Sequence, residues 1–164
     1  AMSRNMYFSS VLGCNLGMFY KRRDYTRVVN GRNPIVAHEY LGDSVEGKTV
    51  FIADDIIASG ESMLEVASNL KARGAKRIIA DATFPLFTSG LDKFDKAVEE
   101  GTLDYVVGTN LTYRKPELLN RDWYVDVDVS KYAAYFIVAL NHDMSVSSII
   151  DPIKKIEALL ASRK

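Results

Sequence analysis

The sequence predicts an α/β fold, a mainly parallel twisted sheet flanked by helices, and three observations carry that expectation. Residues 50–53, Val-Phe-Ile-Ala, form a run too apolar and β-prone for a surface segment. Met63, Val66, Ala67 and Leu70 then recur at helical spacing with Glu65, Asn69 and Lys71 opposite them, the stripe of an amphipathic helix. After Gly74, residues 77–83 return to a strand pattern, so the three segments make a βαβ unit with its expected right-handed crossover.

The remaining elements follow in order. Residues 4–12 read as a helix with Met6, Tyr7 and Val11 on one side, stopped by Gly13. Residues 16–20 read as a short strand and residues 35–41 as another. Between them, residues 21–34 carry Lys21, Arg22, Arg23, Arg27 and Arg32 against the single acid Asp24, with Asn30-Gly31 breaking regular structure; this is expected to be a mobile basic loop. Glu46-Gly47-Lys48 turns the chain into the strand at residue 50. Beyond the βαβ unit, a helix around Leu91, Phe94 and Val98 ends near Gly101, and residues 105–109 add a strand. Trp123, Val125, Val127 and Val129 alternate with Tyr124, Asp126 and Asp128, the period of a strand whose valine face is buried. Ser130 is placed to cap a helix over 132–140. Asp151-Pro152 opens a last one with Ile153, Ile156, Leu159 and Leu160 expected inward.

Composition narrows the class. The 164 residues with 48% hydrophobic content suit one domain, 1–164, with a sizeable core. Lys and Arg balance Asp and Glu at 21 each, which argues against a nucleic-acid or anionic-membrane partner and confines any anion site to a local patch. No stretch is long and apolar enough to span a bilayer, and the N-terminus lacks a secretion signal's order of parts. The lone Cys14, beside Leu12 and Leu16, reads as a small buried hydrophobe, and a cytoplasmic location fits best. His38 and His142 lie far apart, so no transition-metal spacing is present; His142 reads as a cation near a helix C-terminus.

The chemistry concentrates in residues 50–62, VFIADDIIASGES. Asp54 and Asp55 are expected where the strand ends, the place where open α/β sheets bind ligands. Ala58, Ser59, Gly60, Glu61 and Ser62 then let backbone N–H groups, two hydroxyls and a helix N-terminus converge on an anion. A phosphate fits the loop. The carboxylates suit the vicinal hydroxyls of a ribose or a magnesium ion bridging them. Glu61 would oppose a phosphate if it faced the loop, so it is expected to face solvent. The plain alternative is a strand, turn and helix with Ser59 as N-cap.

This stretch resembles the phosphoribosyl-diphosphate motif, four apolar residues followed by DDxxxTGxT, of type I phosphoribosyltransferases and ribose-phosphate diphosphokinases, with Ser59 and Ser62 in place of the threonines. Lys21-Arg22-Arg23 upstream, ARGAKRIIADATF downstream and SVSSII at residues 145–150 extend the resemblance to ribose-phosphate diphosphokinase over nearly the whole chain. It departs at Phe84-Pro85, where that family often has histidine and glycine.

The resemblance implies a type I phosphoribosyltransferase-like domain corresponding to the C-terminal half of a two-half enzyme, with the N-terminal nucleotide-binding half absent. The family moves diphosphate from MgATP to ribose 5-phosphate, giving phosphoribosyl diphosphate and AMP. Carried onto this sequence, Lys21 and Arg23 are the catalytic cations. Asp54 and Asp55 orient the ribose hydroxyls, with Asp54 the metal contact through those hydroxyls. Ala58, Ser59, Gly60, Glu61 and Ser62 hold the 5-phosphate. Mg2+ is the implied cofactor, ribose 5-phosphate or phosphoribosyl diphosphate the ligand, ATP a partner only with the missing half, and a homo-oligomer the assembly. Tyr7, Phe8, Phe19 and Tyr20 are candidates for the surface where the missing half would pack. Two other readings stay open: a phosphoribosyltransferase using a base, which would release diphosphate without ATP, and a silent phosphoribosyl-binding or regulatory subunit.

Overall fold

A computed structural model describes residues 2–23 and 35–162. Helix α1 (Met2–Leu12) is followed by β1 (Met18–Arg23) and β2 (Ile35–Leu41), then β3 (Thr49–Ile57), α2 (Glu61–Ala72), β4 (Arg77–Pro85), α3 (Asp92–Glu99), β5 (Tyr105–Thr109), α4 (Pro116–Leu119) and β6 (Tyr124–Val127). Three helices follow, α5 (Ser130–Asn141), α6 (Ser147–Ile150) and α7 (Ile153–Ala161). The α1 helix stops where Gly13 takes φ +64 and Cys14 N–H returns to the Ser9 carbonyl at 3.1 Å. Cys14 is exposed, contrary to expectation, because it lies in the connection after this stop, where Leu12 and Leu16 are exposed too.

Strands β1 and β2 form an antiparallel pair in which Phe19 faces Tyr40 across the ladder, with ring centroids 5.2 Å apart. The first strand starts two residues later than expected and runs on through Lys21, Arg22 and Arg23. The remainder of the expected mobile loop, residues 24–34, lies outside the described residues. The other sheet is parallel, in the sequential order β3-β4-β5-β6. Right-handed crossovers in sequential order place their helices on one face. There Met63, Ala67 and Leu70 of α2 and Phe94 and Ala97 of α3 bury Ile78, Ala80, Ala82 and Val106. The register puts Phe51, Ile79 and Tyr105 side by side on the opposite face, where Phe51 and Tyr105 are exposed.

That one-sided winding explains the main departure from the sequence pattern. Trp123 is buried as expected, but burial within β6 does not alternate: Tyr124 is buried and residues 125–127 are exposed. Tyr124 pairs with Val106 on the helix-covered face and is buried, whereas Val125 and Val127 are exposed on an edge strand. Asp126 shares the Tyr124 face and accepts both of its hydrogen bonds from Arg114 Nη1, at 2.7 and 2.5 Å. Helix α5 is started by Asp128 and Asn110 rather than by Ser130: Ser130 N–H donates to Asp128 Oδ1 at 2.9 Å and Val129 N–H to Asn110 Oδ1 at 2.9 Å. His142 stands at the C-cap position of α5, its backbone N–H donating to the Val138 carbonyl. In α7, Ile153 and Ile156 are partly buried and Lys155 Nζ lies 5.1 Å from the Tyr132 ring centroid. Leu159 and Leu160 are exposed, not inward, because α7 meets α5 through its first half. Among the described residues, no helix is long and apolar enough to cross a membrane.

Gly108 marks the tightest place between β5 and its neighbours. A Cβ there would lie 2.5 Å from the Tyr124 hydroxyl and 2.7 Å from Pro85 Cγ. The Tyr124 hydroxyl is buried, and burial together with the Asp126 charge pushes its pKa up to about 12. Gly108→Ala is therefore expected to destabilise the fold by roughly 1–3 kcal/mol, the usual cost of overpacking a filled interior. Urea unfolding followed by the fluorescence of Trp123 measures it, and an unchanged midpoint would refute the packing described.

Candidate functional site

Residues 54–62 span the last four residues of β3, a three-residue turn and the first residues of α2. The strand does not end at the acid pair. It continues through Ile56 and Ile57, which pair with Phe84 and Pro85 of β4. Asp54 and Asp55 consequently sit inside the strand, partly buried, and successive strand residues point to opposite faces. One ion bridging both side chains is not what this backbone builds. Asp54 Oδ1 accepts the Asp55 N–H at 2.8 Å, which fixes the Asp54 carboxylate against its own strand.

The turn that follows depends on Gly60. Its φ of +78 lies in the left-handed region, and a Cβ would overlap Cε2 and Cζ of the Phe94 ring, so glycine is required twice over. Gly60 is also the residue from which α2 starts. Its carbonyl accepts the Leu64 N–H at 2.9 Å, and Ser59 Oγ is a long 3.5 Å from Glu61 N. Ser59 is thus not the N-cap. The helix offers no acceptor for the first-turn N–H groups of Ser62 and Met63, which leaves donors at the positive end of a twelve-residue helix. Ala58 and Ser62 are exposed beside a buried Gly60, so the turn opens outward above a closed base.

Glu61 behaves as its chemistry demands. Its side chain is exposed and turns to α3, where Lys93 Nζ donates to Oε1 at 2.6 Å. The Lys93 hydrogen bond and charge hold its carboxyl below the usual carboxylate range.

The base of the turn is a cluster of four rings. Phe87 meets Phe94 edge to face with centroids 4.8 Å apart, Phe94 stacks on Trp123 at 5.8 Å, and Tyr124 closes the group against Phe87 and Trp123. Trp123 Nε1 donates to Asp95 Oδ1 at 2.7 Å, and Arg121 engages both Asp95 oxygens at 2.9 and 2.8 Å. Burial would raise the Asp95 carboxyl, but the bonds from Arg121 and Trp123 and the Arg121 charge outweigh it and hold the group below its ordinary value. Sequence reasoning placed Phe94 and Trp123 in elements without linking them to the turn, and it passed over Phe87 and Asp95. The available signal was the lone Trp, whose N–H needs an acceptor when buried.

Lys21 and Arg23 stand on β1, paired in register with His38 and Ile35, and the register shifts between Arg22 and Arg23. Their hairpin joins the main body through Phe19 and Tyr40, which pack against the common core. Of the expected docking aromatics, Tyr7 and Tyr20 are exposed and Phe8 and Phe19 partly buried. Among the described residues, no group of three or more His, Cys, Asp or Glu gathers.

A family model described as "Phosphoribosyl transferase domain" matches residues 2–130. The ribose-phosphate pyrophosphokinase of Wolinella succinogenes is 34% identical over 116 residues, covering 71% of this chain and 34% of that protein. The enzyme of the same name from Thermococcus kodakarensis is 33% identical over 122 residues, covering 73% of this chain and 41% of its own. The chain thus spans between a third and a half of the length of such relatives. The crystal structure of phosphoribosylpyrophosphate synthetase from Mycobacterium smegmatis shares the fold with TM-score 0.64 at 22% identity, over 87% of this chain and 42% of that one.

The Asp95 cluster gives a pH test. A depressed folded-state value means that its stabilisation is fully present above the unfolded carboxylate value of about 3.9 and is lost as pH falls through the lower folded value. Thermal melts across that range should show Asp95→Asn less stable by about 1–3 kcal/mol at neutral pH and less sensitive to acid. Equal acid sensitivity in both proteins would assign the titration to other groups.

Proposed function

We propose, for a chain that belongs to the phosphoribosyl transferase domain family, that it supplies the ribose 5-phosphate site and catalytic cations of a ribose-phosphate diphosphokinase. The reaction is transfer of the β,γ-diphosphoryl group of MgATP to the anomeric oxygen of ribose 5-phosphate; that oxygen loses its proton and AMP departs. A second, nucleotide-binding half, cytoplasmic and assembled with this one in a homo-oligomer, belongs to the same reading. The observation that carries it is the left-handed Gly60 turn, which aligns helix-terminal N–H groups a few residues beyond the acid pair.

Each residue takes a role that its chemistry allows. The 5-phosphate sits at the turn, receiving hydrogen bonds from the first-turn amides of α2 and from the Ser59 and Ser62 hydroxyls, with Ala58 at its rim. The Lys93 pairing keeps the Glu61 charge on the α3 side and away from that anion. Asp54 and Asp55, as oxygen acceptors leaving opposite faces of β3, are assigned to different hydroxyls of the ribose and not to one shared ion. Magnesium fits this donor set, since it prefers hard oxygens and takes one or two carboxylates together with substrate phosphates. Asp54 would hold it through the ribose hydroxyls, and bound there the ion neutralises charge on phosphoryl oxygens. Lys21, a point charge, and Arg23, a planar fork, stabilise the anionic charge that spreads over the transferring group.

Titration of the full chain with ribose 5-phosphate tests the site. Saturable heat is expected, and Asp55→Asn should weaken binding by about tenfold, near 1.4 kcal/mol. Absence of heat from the unsubstituted chain would end the assignment. Lys21→Ala and Arg23→Ala should instead lower AMP formation, measured with a nucleotide-binding half supplied, far more than they lower ester affinity. A loss confined to affinity would remove the catalytic role from these two residues.

A further inference from the structure

We infer that the Phe94 ring and the backbone of residues 86–88 position the turn after β3 for its ligand, so that the aromatic cluster sets affinity for the sugar phosphate as well as stability. This rests on the ribose 5-phosphate reading of the turn. Two independent sets of contacts reach the turn from the same cluster. From one side, the N–H groups of Leu86 and Phe87 both donate to the Ile57 carbonyl, at 2.9 and 3.1 Å, and Thr88 N–H donates to the Ala58 carbonyl at 2.9 Å. From below, the Phe94 ring abuts Gly60 so closely that no side chain could stand there.

The segment that makes the hydrogen bonds is itself held under strain. Phe87 has φ +46, a conformation that non-glycine residues adopt at a cost and keep only where surrounding structure over-determines it. Phe87 is 4% exposed, and its ring meets those of Phe94, Trp123 and Tyr124. Those contacts hold the left-handed backbone at 87, and the three consecutive N–H groups of residues 86–88 meet the carbonyls of Ile57 and Ala58. Trp123 is anchored through Asp95 to Arg121, so the cluster cannot slide as a body. An anion site made of backbone amides works only while those amides converge, and an ångström of drift is enough to lose it. A rigid aromatic base against the one residue lacking a side chain supplies that constraint, although none of the four rings faces the ligand.

A double-mutant cycle on the full chain tests this, with ribose 5-phosphate titration and the thermal midpoint measured separately for each protein, and titrations made well below the lowest midpoint. Phe94→Leu should weaken ester binding about tenfold. Gly60→Ala should weaken it more, and the same change should cost at least about fivefold less in the Phe94→Leu background, where the added methyl finds room. If Phe94→Leu does not fold, Phe94→Met fills the core while removing the flat face and gives the same reading. Binding that is untouched by either Phe94 substitution while the midpoint falls, or effects that simply add, would overturn the inference and leave the site reading intact. Failure of the unsubstituted chain to bind the ester sinks the site reading, and this inference with it.

Discussion

The close approach of the Phe94 ring to Gly60 is the contact on which the rest of the site depends. It compels glycine at residue 60, and with glycine comes the left-handed turn that lets β3 pass into α2 within three residues. That short passage places the helix terminus directly over the end of the strand. It also ties local geometry to the core, because Phe94 stacks on Trp123 and meets Phe87, and Trp123 is pinned through Asp95 to Arg121. The exposed turn therefore inherits the rigidity of a buried aromatic group, which a loop of small residues would not otherwise possess. Charge is arranged to match: Glu61, the first residue of α2, is drawn aside by Lys93 of the same helix that carries Phe94.

The topology accounts for where the molecule is solid and where it is open. Sequential parallel strands with crossovers of one hand collect α2 and α3 on a single face, and the largest fully buried side chains, Phe94, Ile78, Leu103 and Val106 among them, belong to that layer or its margins. The other face keeps apolar residues in register, Phe51 beside Ile79 beside Tyr105, without comparable cover. The exposed apolar residues of α5, including Ile137 and Leu140, continue the same theme on the C-terminal helices.

Much of the fold was legible because it depends on local pattern. The strands at residues 35–41 and 105–109 begin and end where their β-prone runs do, and the Met63, Ala67 and Leu70 stripe is buried as helical spacing requires. The glycine stops at 13 and 74 also stand where written. What could not be read depends on which face of the sheet is covered. Trp123 is buried as its place in the pattern suggests, but sequence cannot say that helices lie on the Tyr124 side of this edge strand, where the valines are exposed. The strand carrying Asp54 and Asp55 runs on because Ile56 and Ile57 find partners in Phe84 and Pro85, a decision made by another strand. Cys14, Leu159 and Leu160 failed for the same reason, since hydrophobic character does not by itself provide a neighbour. In the candidate site, the acids, the serines and Gly60 were visible as a linear motif. Phe87, Asp95 and Trp123 were not, because they lie well away from the turn along the sequence and their connection to it exists only in three dimensions.

Strand β3, which carries the acid pair, is the outermost strand of its sheet among the described residues, and at mid-length the Ala53 carbonyl is met by the Asn5 side-chain amide at 3.3 Å. An amide group borrowed from a helix imitates one rung of a ladder and no more. A strand at the margin of a sheet is a template for pairing unless it is shielded or joined to something. Shortening the first helix past residue 5 would strip away that one imitation rung, and the expected cost is sticking between molecules along the very strand that carries the chemistry.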